Sequence, residues 1–132
     1  MTIESINPGT LPLPKNYAQV VVATGTKLVF VSGQEPEDIN GDPVGRGDLA
    51  AQTRQVFDNI GQALSAAGAR KNQVAKITFY VANYKREDLP ILEEARVAFF
   101  GDHKTADVVL GVQALSHPDY LIEIDAFAVV DG

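Results

Sequence analysis

The side chains available for chemistry are few, and the absent ones narrow the field first. None of the 132 residues is a cysteine. That removes disulfides, thiolate metal sites, iron–sulfur clusters and cysteine nucleophiles. His103 and His117 stand in loops with no spaced ligand partner, so they read as surface histidines and no metal site is expected. Ser32 has no His–acid arrangement nearby, which argues against a serine triad. Gly41, Gly45 and Gly47 are not followed by Lys-Ser/Thr, so they do not form a phosphate loop. Glu123 and Asp125 alternate with Ile122 and Ile124 near the C-terminus, and Asp107 lies in the preceding apolar run.

The elements that must carry these residues follow from periodicity and punctuation. Residues 1–16 hold Pro8, Gly9, Pro12 and Pro14 and read as an arm or loop. Residues 17–22 and 28–32 read as two strands joined by a turn at Thr24–Lys27, a hairpin signal. A long Gly- and Pro-bearing loop follows over 33–47, with a short strand expected near Pro43-Val44. Asp48 is a good N-cap for a helix over 49–67, whose apolar residues repeat at helical spacing, and Gly68 suits its C′ position. A β-branched and aromatic run over 74–81 reads as a strand. Residues 88–100 read as a second helix, with Pro90 tolerated in its first turn and Gly101 ending it. Residues 106–112 and 121–130 complete the set as strands, with His117-Pro118-Asp119 in the turn between them.

This order predicts a single α+β domain over 1–132, a mixed sheet with both helices on one face. The last strand alternates Ile122, Ile124, Ala126 and Ala128 with Glu123, Asp125, Phe127 and Val129. One set faces the helices. The other mixes carboxylates with apolar side chains, as expected of a face shared between subunits.

A formal net charge of −6, with no basic run, opposes nucleic acid as a partner. No stretch approaches the ~18 apolar residues of a membrane span, and the N-terminal residues have no apolar leader core, so a cytoplasmic address is expected.

Several short runs, in order, resemble the Rid (YjgF-like) family. They are Tyr17-Ala18-Gln19, Ser32-Gly33-Gln34-Glu35-Pro36, the helical stretch Ala51–Ile60, Ala66-Ala67-Gly68, Val74–Thr78, Ala98-Phe99-Phe100 and Ile122–Ala126. The resemblance spans roughly residues 17–129 and implies a chorismate-mutase-like protomer and a homotrimer with clefts between subunits. It also implies hydrolytic deamination of reactive imines or enamines, a small-molecule metabolite as partner, and no metal or organic cofactor. Translation inhibition or ribonuclease action, attached to some relatives, fits the acidic charge least. A binding module that keeps the cleft without turnover is the alternative to catalysis. In the family pattern Tyr17 and Gly33 match substrate-positioning residues, and Glu123 matches the glutamate that holds or activates water.

The pattern also breaks at the site. The family arginine that clamps a substrate carboxylate falls on Asp107, the nearby cysteine on Val109, the helix asparagine on Glu93, and the Gly-Pro before the tyrosine on Lys15-Asn16. No short acid can imitate a bidentate arginine, so Asp107 would repel a 2-imino acid. If Asp107, Glu123 and Glu93 shared one cleft they would raise one another's pKa, leaving one able to donate a proton. Glu123 and Asp107 are therefore the candidate catalytic residues, with Tyr17, Gly33, Glu93 and Arg96 as candidate binding residues. Arg96, one turn after Glu93, is placed to neutralise part of the cluster or to hold a substrate anion.

Overall fold

A computed structural model describes residues 2–132. In chain order the elements are β1 Thr2–Ile6, β2 Val20–Thr24, β3 Lys27–Gln34, α1 Leu49–Ala66, β4 Val74–Ala82, α2 Leu89–Phe100, β5 Ala106–Val112 and β6 Ile122–Val130. Strands β3, β6, β4 and β5 form a four-stranded sheet in that spatial order. The β3–β6 and β6–β4 pairs are antiparallel, and β4–β5 is parallel. Parallel neighbours need a long crossover, which α2 supplies. This is the expected α+β arrangement, two helices on a mixed sheet.

The helices start and stop where their caps dictate. The Asp48 side chain accepts the Ala51 N–H at 3.0 Å at the head of α1. Gly68 and Gly101, at φ +74° and +62°, end α1 and α2 in a region that glycine enters freely. Val56, Phe57, Ile60 and Leu64 of α1 and Leu92 and Phe100 of α2 bury against Ile77, Phe79 and Val81 of β4 and Ile122, Ile124 and Ala126 of β6. Each aliphatic or aromatic side chain fully buried there stabilises the fold by about 1.5–3 kcal/mol.

Two expectations need correction. The N-terminal arm is not wholly loop: Thr2–Ile6 is a strand, paired antiparallel with β2 in a separate two-stranded ribbon. For the same reason β2 and β3 do not form a hairpin, since β2 pairs with β1 and β3 with β6. The prolines all fall after Ile6, so they break the chain between the two ribbon strands without preventing either. Tyr17 accordingly precedes β2 and does not lie in it. The short extended contact expected near Pro43 is present as a bridge to Glu37.

The pairing registers fix which face each side chain uses. Ile77 of β4 is paired with Asp107 of β5 and with Ala126 of β6, so Asp107 points to the helix side. Tyr80 is paired with Glu123, and Thr78 with Asp125, so both carboxylates point to the open side. The open face also presents Leu28, Phe30 and Phe127, of which Leu28 and Phe30 are 68% and 69% exposed.

Candidate functional site

On the open face, Glu123 lies against the backbone of Gly33. A Cβ built on Gly33 would stand 1.8 Å from Glu123 Oε2, so any other residue here would displace that carboxyl. Gly33 sits in an irregular stretch of β3, where the register to β6 shifts by one residue between Val31 and Gln34. Burial pushes the Glu123 carboxyl above the usual carboxylate range, and the negative charges of Glu35 and Asp125 push it further. Beside it, the Tyr80 hydroxyl donates to Asp125 Oδ2 at 3.0 Å. Burial, first, and that Asp125 contact then raise the Tyr80 phenol.

The second group lies at the edge formed by β5 and α2. Arg96 Nη2 stands 2.8 Å from Asp107 Oδ2, and both side chains are buried, 3% and 5% exposed. The charge contact is close but is not aligned as a hydrogen bond, and Arg96 Nε and Nη1 have no hydrogen-bond partner. The guanidinium carbon lies 5.1 Å from the centre of the Phe79 ring. Burial lifts the Asp107 carboxyl to about 6; Arg96 pulls it down and Glu93 pushes it up. Glu93 accepts a hydrogen bond from Asn16 Nδ2 at 3.0 Å. The next residue but one, Ala18, donates its N–H to the Thr105 carbonyl at 2.9 Å. Tyr17, between these anchors, is thereby held at the same edge.

The six predicted residues thus divide into two sets. Gly33 and Glu123 meet on the open face; Tyr17, Glu93, Arg96 and Asp107 gather at the β5–α2 edge. Within one chain Asp107 and Glu123 lie on opposite sides of the sheet, so a cleft shared by both requires a second subunit. Ile77 and Tyr80, three residues apart on β4, face opposite sides, and their partners Asp107 and Glu123 follow them, which only the register reveals. Arg96 is committed to Asp107 and is not a partner of Glu123. His103, read as a surface residue, is half-buried, with Nε2 2.7 Å from the Val74 carbonyl oxygen. His117 Nδ1 accepts the Asp119 N–H at 3.0 Å.

Sequence reasoning passed over Glu35 and Ser116. The Ser116 hydroxyl donates to Glu35 Oε2 across the face that holds Glu123. Glu35 was visible only as part of a family run, and that its charge acts on Glu123 needs the folded chain to be seen.

A family model described as endoribonuclease L-PSP matches residues 11–130. The chain belongs to this family. Among relatives, a RutC family protein of Pyrococcus horikoshii is 38% identical over 112 residues, 85% of each chain. The 3-aminoacrylate deaminase RutC of Acinetobacter baylyi is 36% identical over 131 residues, 98% of this chain and 100% of its own. The crystal structure of YyfB from Yersinia pestis, a protein of unknown function of the conserved Rid protein family, superposes with a TM-score of 0.92. It is 34% identical, and the match covers 98% of this chain and 99% of that one. The Rid-family fold therefore stands on sequence and structure together. Among the described residues no helix is long and apolar enough to cross a membrane.

Proposed function

We propose that this Rid-family protein is a hydrolytic deaminase of small imine- or enamine-type compounds, working as a homotrimer with its sites between subunits. The observation that carries this reading is the contact of the Glu123 carboxyl with the bare backbone of Gly33. It fixes a carboxyl of raised pKa on an open face, where it can take a proton from water attacking a C=N carbon. The name of the Acinetobacter relative, an enamine deaminase, agrees with that chemistry.

The division of candidate residues across the sheet supports assembly. A cleft containing both sets can form only if the open face of one chain meets the β5–α2 edge of another, and the exposed Leu28, Phe30 and Phe127 favour such burial. In that cleft Tyr17 and Gly33 would position substrate, Glu123 would hold water, and Asp107 would bring no free charge because Arg96 already pairs with it. Asp107 stands where the family's carboxylate-clamping arginine is expected. The preferred substrate is accordingly not a generic 2-imino acid. The negative net charge disfavours RNA, despite the family's description.

Ammonia release from 3-aminoacrylate, 2-iminopropionate and 2-iminobutyrate tests the reading. Wild type should hydrolyse at least one small imine or enamine, with the two 2-imino acids turned over slowly. Glu123→Ala should lose about 10²–10⁴-fold. Phe30→Glu should shift the mass in light scattering from three chains toward one and lower activity with it. A silent wild type that retains a small ligand would overturn catalysis in favour of a binding module, a role that a pre-neutralised Arg96 and Asp107 would also suit.

A further inference from the structure

We propose that Glu35 is the proton partner of Glu123: the two carboxyls hold one proton between them, and each passes it in turn during hydrolysis. The inference deepens the hydrolase reading and rests on it for the reaction.

The geometry comes from the shifted strand pairing. After the irregularity in β3, Gln34 is paired with Ile124. Continued by one residue past the end of β3, that register sets Glu35 opposite Glu123 on the open side, and the charge of Glu35 is the foremost of those acting on the Glu123 carboxyl. Glu35 lies one residue beyond β3, yet it is fixed from two directions. Asn59 Nδ2 donates to the Glu35 and Glu37 carbonyl oxygens, each at 2.9 Å, and Ser116 Oγ donates to the Glu35 carboxyl.

Like charges directly opposite on a sheet destabilise it, and two close carboxylates cannot both ionise freely. Among the described residues of one chain, no cation acts on the Glu123 carboxyl. From β6 the neighbour is Asp125, from β4 it is Tyr80, whose hydroxyl is already given to Asp125, and from the β5–β6 loop it is Ser116. Lys76 shares the face but is level with Phe127, four residues from Glu123 along β6, which is roughly 13 Å. Among the described residues no group of three or more His, Cys, Asp or Glu is arranged to hold a metal ion. A proton is the remaining way to remove a charge, and the upward push of Glu35 on the Glu123 carboxyl has that origin.

A pair with one proton is suited to both halves of the reaction. The protonated carboxyl gives its proton to the imine nitrogen while the other takes one from water. The C–O bond forms, and the C=N π pair moves to nitrogen, giving a carbinolamine. The roles are now exchanged. The newly protonated carboxyl gives its proton to the amine, and its partner takes the hydroxyl proton. The C–N bond breaks with its electrons on nitrogen, the carbonyl forms, and ammonia leaves. Imine plus water becomes carbonyl compound plus ammonia, and the pair returns to its starting state.

The test combines a titration with a rate. Carbon-13 NMR of side-chain-labelled glutamate, with Glu123 assigned by Glu123→Gln, follows its carboxyl in wild type and Glu35→Gln. The Glu123 midpoint should fall by about one pH unit or more in Glu35→Gln, and its kcat/KM should drop by about 10²–10⁴-fold. Glu35→Asp should restore part of both. If Glu35→Gln does not fold by circular dichroism, Ser116→Ala, which only releases the Glu35 carboxyl, should move the same midpoint less far in the same direction. An unmoved midpoint and unchanged kcat/KM in a hydrolysing enzyme overturn the pair and leave the hydrolase reading standing. A falling midpoint in a protein that hydrolyses no imine leaves the coupled carboxyls standing and overturns the hydrolase reading alone.

Discussion

The two faces of the sheet treat charge in opposite ways. On the helix side, Asp107 is buried and answered by Arg96 at 2.8 Å, so the charges cancel inside the chain. On the open side, Glu35, Glu123 and Asp125 crowd together with only hydroxyl groups answering them. A buried ion pair is mainly a structural commitment, because removing one partner strands the other out of water. An uncompensated group of carboxyls at the surface weakens the fold and is retained for what it can bind or protonate. The contrast separates a cluster that has become architecture from one still available for chemistry.

The sharpest way to break the contrast is Arg96→Met. It leaves Asp107 buried without its cation and should cost about 3–5 kcal/mol in urea unfolding. The double variant Arg96→Met/Asp107→Leu should recover most of that loss. A single variant as stable as wild type would mean that the pair is no structural commitment at all. Gly33→Ala probes the other face. The new methyl must displace the flexible end of Glu123, so the melting temperature should stay near that of wild type while kcat/KM falls by about 10²-fold. An equal loss of both would make Gly33 a purely structural glycine.

The smallest effect is in pH dependence. Asp107 titrates at about 6 in the folded chain and near 3.8 when unfolded, so the native state binds its proton more tightly. Its contribution is therefore most favourable below pH 3.8 and is lost as pH rises through 6. Between those values wild-type stability should decline with rising pH relative to Asp107→Asn. A steeper decline in the variant would reverse the sign of the assigned shift.

The helices, the four sheet strands and the Rid-family resemblance were legible because their signals are local: Asp48 and Gly68 bracket α1, and Val74–Ala82 is a run of β-branched and aromatic residues. Thr2–Ile6 was hidden by the prolines that follow it, although five residues suffice for a ribbon strand once β2 is there to pair. The alternation within β6 correctly put Glu123 on the far side from the core. No comparable alternation exists for Asp107, whose run Asp107-Val108-Val109-Leu110 is apolar on both sides, so its face depended on the parallel register with β4. Arg96 was legible as a group placed to neutralise part of the acidic cluster, but not that Asp107 would be the carboxylate it takes. Residue types were readable there, but pairing over long separations was not.

The irregularity in β3 has a consequence for how this site can vary. Upstream of it, pairs such as Val29 with Ala128 and Val31 with Ala126 follow one register; downstream, Gln34 with Ile124 follows another, offset by one residue. Had the first register continued, Glu35 would stand opposite fully buried Ile122, its carboxylate turned into the core. The offset acts as a phase change: the same strand feeds valines inward on one side of it and an acid outward on the other. Two residues of β3, Ser32 and Gly33, fall between pairs that only Asp125 separates on β6, so loss of one of them would regularise the strand with Gln34 still opposite Ile124 and the acid still turned outward. The outward face of the acid therefore survives a single-codon deletion at the bulge, whereas a slip of the pairing back into the first register would turn it inward.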